Sequence, residues 1–135
     1  MNHTDVRKYT ITKKLDICQV LDITGEVARS AGFTSKESLL LCLAAEEACT
    51  NAYEYITQNG QENFHMYWMI FPDRLVMEVT EPGDCFSITL RQETNDQSRG
   101  RGIQLILNIM DEVRLNFTKS SLSVVMEKRK VGIPI

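Results

Sequence analysis

A long amphipathic helix, bounded at both ends by clear signals, is the feature that most constrains how this chain can fold. Thr34, followed three residues later by Glu37, forms a capping box in which each side chain can satisfy a free backbone amide of the other residue. The helical sequence that follows continues to about Thr57, and Asn59-Gly60 ends it. The sequence therefore predicts one long helix, against which the other elements must pack.

Two polar side chains lie on the apolar face of this helix. Residues four apart share a helix face, so the carboxylate of Glu47 and the amide of Asn51 project together. The apolar stripe around them consists of Ala44, Ala48, Ala52 and Ile56. A carboxylate and a carboxamide supply a proton acceptor and a neutral oxygen ligand, which can hold Mg²⁺ and orient a hydroxyl beside a polyphosphate. An isolated pair of this kind is more often a capping or solvent-facing pair, so the assignment depends on two segments downstream.

The first of these segments, Glu81-Pro82-Gly83-Asp84-Cys85-Phe86, follows a strand-like run. The second, Gly100-Arg101-Gly102-Ile103, opens an apolar helix. Glycines just before a helix let backbone amides approach anionic oxygen, and the helix N-terminus adds a favourable partial charge. Taken alone, these glycines are as consistent with a structural role, capping the helix and allowing a tight loop, as with phosphate binding. Arg99 and Arg101 flank them and could neutralise a γ-phosphate, although arginines beside a flexible loop are more often solvated.

Length and composition predict a single domain over residues 1–135. A chain of 135 residues that is 43% hydrophobic has enough apolar material for one core and is too short for two. We expect an α+β fold, a two-layer sandwich whose mixed, mostly antiparallel sheet carries helices on one face. The expected strands are 7–15, 62–71, 75–80, 112–118 and 122–127, and the expected helices 17–31, 34–57 and 101–110. Residues 86–90 are a further short strand or the start of a loop, and the polar residues 91–99 are expected to form a flexible lid.

Composition excludes several classes of function. A net charge of −3, with dispersed Lys and Arg residues, gives no basic face for nucleic acid. No run reaches the length of a membrane helix and the polar N-terminus lacks the blocks of a signal peptide, so we expect a cytoplasmic protein without membrane attachment. Four cysteines without CxxC spacing are expected to be reduced and mostly buried, which argues against a zinc site.

The three segments, in this order and at these separations, resemble the N, G1 and G2 boxes of the Bergerat-fold (GHKL) ATPases. The resemblance is closest to the short cytoplasmic anti-sigma-factor serine kinases and extends from the strand at Tyr9 to Lys128. It implies that the chain binds ATP and Mg²⁺ and passes the γ-phosphate to a serine of an anti-sigma-factor antagonist. It also implies sequestration of a sigma factor and a homodimer.

The same resemblance assigns roles to individual residues. Glu47 matches the base that accepts the serine proton, and Asn51 matches the Mg²⁺ ligand. Glu46 is the nearest competitor for the base, but it is off the face of Asn51. The nucleotide-binding residues that the resemblance implies are Asn51, Glu81, Gly83, Cys85, Arg99, Gly100, Arg101, Gly102 and Ile103.

The chain departs from the family pattern at three positions. Glu81 stands where the family has an aspartate that accepts the adenine amino group, and its extra methylene must be accommodated by the backbone. Cys85 replaces a glycine, which costs on the order of 1 kcal/mol if that position needs a positive φ. Tyr55 replaces a frequent histidine and is expected to pack. A non-catalytic partner-binding module of the same fold therefore remains an alternative, whereas a two-component histidine kinase would need a phosphoacceptor helix pair before Tyr9.

Overall fold

The chain forms a helical layer packed on one face of an antiparallel sheet. A computed structural model describes residues 5–83 and 97–130, without the side chains of residues 97–101. The elements are β1 (Asp5–Ile11), α1 (Asp16–Ser30), α2 (Ser35–Gln58), β2 (Phe64–Ile70), β3 (Arg74–Pro82), α3 (Gln97–Ile109), β4 (Glu112–Phe117) and β5 (Ser121–Arg129). The α+β sandwich predicted from the sequence is confirmed.

The sheet has five described strands in the order β1-β2-β3-β5-β4, and each neighbouring pair is antiparallel. Because side chains alternate between the two faces of a strand, residues paired across the sheet share a face. Met66 pairs with Val79, which in turn pairs with Val124. Met66 and Val79 are buried in the core with residues of α1 and α2, so this face of the sheet carries the helices.

A buried polar contact joins the helical layer to the sheet. The indole Nε1 of Trp68, in β2, donates to the Thr24 hydroxyl of α1 at 3.0 Å. The Thr24 hydroxyl donates in turn to the carbonyl of Val20 at 2.7 Å. All three residues are fully buried, and buried polar groups are costly unless they are paired. This short chain of hydrogen bonds therefore fixes α1 on the sheet without leaving the Trp68 indole unsatisfied.

The ends of the two long helices follow local sequence signals. The amide of Glu37 donates to the Thr34 hydroxyl, and the amide of Thr34 donates to the Glu37 carboxylate, which confirms the capping box. Gly32, with φ +97°, ends α1, and the amide of Phe33 donates to the carbonyl of Ala28. This is a Schellman-type end in which glycine supplies the left-handed conformation. The boundaries of α2 agree with the prediction to within one residue.

The junction of β1 and α1 differs from the prediction. The strand ends at Ile11 rather than at residue 15, and Leu15 is 69% exposed. The Asp16 carboxylate accepts hydrogen bonds from the amides of Thr12 and Lys13, so these residues turn away from the sheet. These bonds also lower the pKa of Asp16 below its usual value. The carboxylate of Asp16, the first residue of α1, therefore ends the strand earlier than the alternation of apolar residues had predicted.

Two elements that border the candidate site are longer than predicted. Strand β3 continues to Pro82, so Glu81 belongs to the strand and pairs with Leu122 of β5. Helix α3 begins at Gln97 rather than at residue 101. The predicted flexible lid is therefore wrong for residues 97–99, which are helical, while its remainder and residues 86–90 lie outside the described residues. In the part of the chain that the structure describes, no helix is long and apolar enough to cross a membrane.

Candidate functional site

One face of α2 carries the polar residues that the sequence singled out. Glu47 and Asn51 are both half-buried, and Tyr55 continues the same face one turn further on. Tyr55 lies eight positions after Glu47, which corresponds to roughly 12 Å along the helix axis. Ala48 and Ala52 lie beside them and are buried. The face therefore presents a carboxylate, an amide and a phenol in a row, as the helical spacing predicted for the first two.

The Glu47 end of this face touches Gly102 of α3. A Cβ added to Gly102 would overlap the Glu47 carboxylate and would lie 3.0 Å from its Cδ atom. Gly102 is buried and its φ is not positive, so a side chain here would be opposed by its close approach to the Glu47 carboxylate, which would have to shift, and not by backbone conformation. Helix α3 can therefore lie directly against the carboxylate that the resemblance assigns as the base.

The Tyr55 end of the same face touches Gly83, which follows β3. A Cβ added to Gly83 would lie 2.9 Å from the Tyr55 Oη atom, and Tyr55 is 4% exposed. The expectation that Tyr55 packs is thus met by a buried ring. The two glycine segments that are separate in the sequence, one at Gly83 and one at Gly102, therefore contact the two ends of a single helix face.

Glu81 lies in β3 close to the Tyr55 end. It is 3% exposed and lies on the helix-facing side of the sheet, which it shares with Met77 and Val79. The oxygens of a carboxylate accept hydrogen bonds and carry no hydrogen to donate. Glu81 therefore brings an acceptor to the buried end of the site, as the aspartate of the family pattern would.

Gly100 and Gly102 do not precede α3, as the sequence had suggested, but lie within it. The amides of the first three residues of an α-helix have no partner inside the helix, and in α3 these belong to residues 97–99. Gly100 is the fourth residue of α3, where the amide takes part in the helix's own hydrogen bonds, and Gly102 contacts Glu47. The reason for the difference is that close packing of Gly102 on α2 favours helix despite the poor helix propensity of glycine.

The structure says less about the other residues that the sequence singled out. Ile103 follows Gly102 on α3 and is 45% exposed. Glu46 is exposed and lies off the face of Glu47 and Asn51, as expected. Cys85 and the side chains of Arg99 and Arg101 lie outside the described part of the chain.

The cysteines only partly follow the sequence expectation. Cys49 of α2 is fully buried, and burial raises the pKa of its thiol to about 12. Cys42 is partly buried and Cys18 is exposed, so the expectation of mostly buried thiols is wrong for these two. None of the described cysteines lies on the face of Glu47 and Asn51.

Sequence reasoning did not find the two helix–glycine contacts. Each contact joins residues far apart in the chain, and no spacing rule links Tyr55 to Gly83 or Glu47 to Gly102. Ser120 was missed in the same way: its carbonyl accepts a hydrogen bond from the Gly83 amide at 3.0 Å. The turn between β4 and β5 thus supports the segment that follows β3.

The arrangement fits a nucleotide with its magnesium ion. In residues 5–83 and 97–130, no three His, Cys, Asp or Glu side chains converge as a metal cage. Mg²⁺ held by nucleotide phosphates needs only one or two protein oxygens, since it keeps several waters. The half-buried amide oxygen of Asn51 suits such a site and the Glu47 carboxylate lies one turn away, with a buried carboxylate at one end of the face and the first amides of α3 at the other.

Comparison with known proteins agrees with the fold. The family described as histidine kinase-like ATPase domain matches residues 13–128. The chain belongs to this family, and the GHKL resemblance is confirmed. Among its relatives is the serine-protein kinase RsbW of Bacillus subtilis (strain 168), which is 30% identical and matches over 94% of this chain and 87% of the relative.

A second relative and a solved structure extend the comparison. The serine-protein kinase RsbW of Bacillus pumilus (strain SAFR-032) is 30% identical over 95% of this chain and 88% of its own length. A chain in the crystal structure of the SiaB-SiaC complex from Pseudomonas aeruginosa superposes with a TM-score of 0.68. That match covers 90% of this chain and 88% of the other at 11% identity, so it supports the fold alone.

Proposed function

We propose that this chain is an ATP-dependent serine kinase of the anti-sigma-factor type. In this proposal it phosphorylates a serine of an anti-sigma-factor antagonist and otherwise sequesters a sigma factor, as a homodimer in the cytoplasm. The observation that carries the proposal is the face of α2, on which Glu47 contacts Gly102 and Tyr55 contacts Gly83. Relatives named serine-protein kinase, matched over nearly the whole chain, support the same class.

Phosphoryl transfer requires positioning, charge stabilisation and a base near the attacking hydroxyl. Glu47 is the base of the proposal, since it is half-buried and still reachable from solvent. Asn51, one turn away, supplies the oxygen for Mg²⁺, which would neutralise phosphate charge when bound. Glu47 and Asn51 thus divide proton acceptance and metal binding between them.

The two ends of the α2 face define how the nucleotide would lie. The amides of residues 97–99, at the start of α3, suit the phosphates, and Arg99 and Arg101 would add positive charge there. Glu81 suits the exocyclic amino group of adenine, because a carboxylate accepts and an amino group donates. ATP would therefore extend from the start of α3 towards β3.

Phosphate transfer to a protein serine tests the proposal. The chain is incubated with [γ-³²P]ATP, Mg²⁺ and an anti-sigma-factor antagonist from the same cells, and with the antagonist whose target serine is changed to alanine. We expect label on the first antagonist only. ATP binding without any transfer would favour a partner-binding module of the same fold, and the absence of ATP binding would contradict the site itself.

A further inference from the structure

The phenol of Tyr55 lies close to Gly83, the residue that follows β3. A Cβ at Gly83 would be 2.9 Å from the Tyr55 Oη atom but 3.5 Å from Cζ and 3.6 Å from Cε2. Contacts of 3.5 Å are ordinary, whereas 2.9 Å is not tolerated by real Cβ atoms. The hydroxyl, rather than the ring, therefore limits the room beside Gly83 on the side that faces α2.

Gly83 is held from its other side as well. Its amide donates to the carbonyl of Ser120 in the turn between β4 and β5, at 3.0 Å. Gly83 thus lies between that turn and the hydroxyl of the buried Tyr55. Glu81 lies two residues before Gly83 at the end of β3, so a shift of Gly83 would redirect the Glu81 side chain.

We propose that Tyr55 is a positioning residue for the end of the nucleotide site that binds adenine. Its hydroxyl sets the distance between α2 and Gly83, and thereby the direction in which the Glu81 carboxylate meets the amino group of adenine. This role rests on the proposed function, because it assumes that ATP binds with its base at Glu81. Tyr55 does not ligate metal or phosphate in this account.

A variant of Tyr55 can be tested for its preference between ATP and a nucleotide whose purine lacks the 6-amino group. A purely structural residue would not change this preference. Tyr55→Phe keeps the ring and removes the hydroxyl, so Gly83 gains room to move. We expect its affinity for ATP to fall about five-fold, the size of effect that a weakened hydrogen bond produces. Affinity for purine riboside triphosphate, which lacks the 6-amino group, should stay within about two-fold. The neighbouring Tyr53→Phe is the matched control and should bind both nucleotides like wild type.

A second pair of variants tests the contact directly. Gly83→Ala should lower ATP affinity roughly ten-fold, because the new methyl group meets the Tyr55 hydroxyl and displaces the segment. Adding Tyr55→Phe should restore the affinity of Gly83→Ala to within about three-fold of wild type, whereas adding Tyr53→Phe should restore nothing. Thermal unfolding of each variant, measured in parallel, confirms that the compared proteins are folded.

The outcomes separate this inference from the function on which it rests. If wild type binds ATP but Tyr55→Phe weakens both nucleotides equally, or does not rescue Gly83→Ala, the positioning role is overturned and the kinase proposal stands. If Gly83→Ala does not fold, the affinities of Tyr55→Phe for ATP and for purine riboside triphosphate decide whether Tyr55 has the positioning role. If wild type binds no ATP, the proposed function fails, and the role of Tyr55 fails with it.

Discussion

Gly102 illustrates how a glycine can allow close packing without any unusual backbone conformation. Its φ is not positive, yet any side chain at this position would overlap the carboxylate of Glu47. Gly83 is similar, with Tyr55 in place of Glu47. At both positions the absence of a side chain lets another segment of the chain reach the face of α2.

The role of Glu47 is tested by an isosteric substitution. Glu47→Gln keeps the shape that packs on Gly102 but removes the charge, so we expect folding and ATP affinity close to wild type. Phosphoryl transfer should fall by ~10²–10⁴-fold, the usual contribution of a general base. The transfer rate is measured as the rate at which the antagonist gains label from [γ-³²P]ATP. The exposed neighbour Glu46→Gln is the matched control, and a Glu47→Gln protein as active as this control would remove Glu47 from the mechanism.

The role of Asn51 concerns the metal rather than the proton. Asn51→Ala deletes an oxygen that we assign to Mg²⁺, so the variant should lose most of the gain in ATP affinity that Mg²⁺ gives to wild type. ATP binding is measured with Mg²⁺ and with excess chelator for both proteins. A variant whose affinity still rises with Mg²⁺ as much as that of wild type would contradict the assignment.

Helix α2 shows how much of an element local signals can determine. Its start, at the Thr34–Glu37 capping box, and its end, near Asn59-Gly60, were predicted because the determinants are neighbours in sequence. The shared face of Glu47 and Asn51 was predicted for the same reason. The early start of α3 was not, because residues 97–102 have poor helical sequence and adopt helix where Gly102 packs on α2.

The thiols of α1 and α2 test burial of the helical layer. Burial raises the pKa of Cys49 to about 12, so its thiol stays protonated at pH values well below this. Because only the thiolate is nucleophilic, we expect no alkylation of Cys49 by iodoacetamide between pH 7 and pH 9 in the native protein. Peptide mass spectrometry measures labelling at each site, with the exposed Cys18 as the internal reference. Labelling of Cys49 at a rate comparable to Cys18 would show that the packing of α2 is wrong.

The whole molecule joins two sequence-distant glycine segments through one helix. The class of fold and the helix layer on one sheet face were predicted from the order of the elements. The site was predicted only in part, since its polar residues were identified but the contacts of Glu47 with Gly102 and of Tyr55 with Gly83 were not. These contacts depend on how the sheet places β3 and α3 around α2, and this arrangement is not encoded in any local pattern.

Calorimetric titration of the folded wild-type chain with ATP in the presence of Mg²⁺ measures directly whether the face of α2 belongs to a nucleotide site. We expect saturable binding of one ATP per chain, in the micromolar range, and weaker binding when Mg²⁺ is removed by a chelator. No heat of binding up to millimolar ATP, from a protein that unfolds cooperatively in the same buffer, would contradict this assignment.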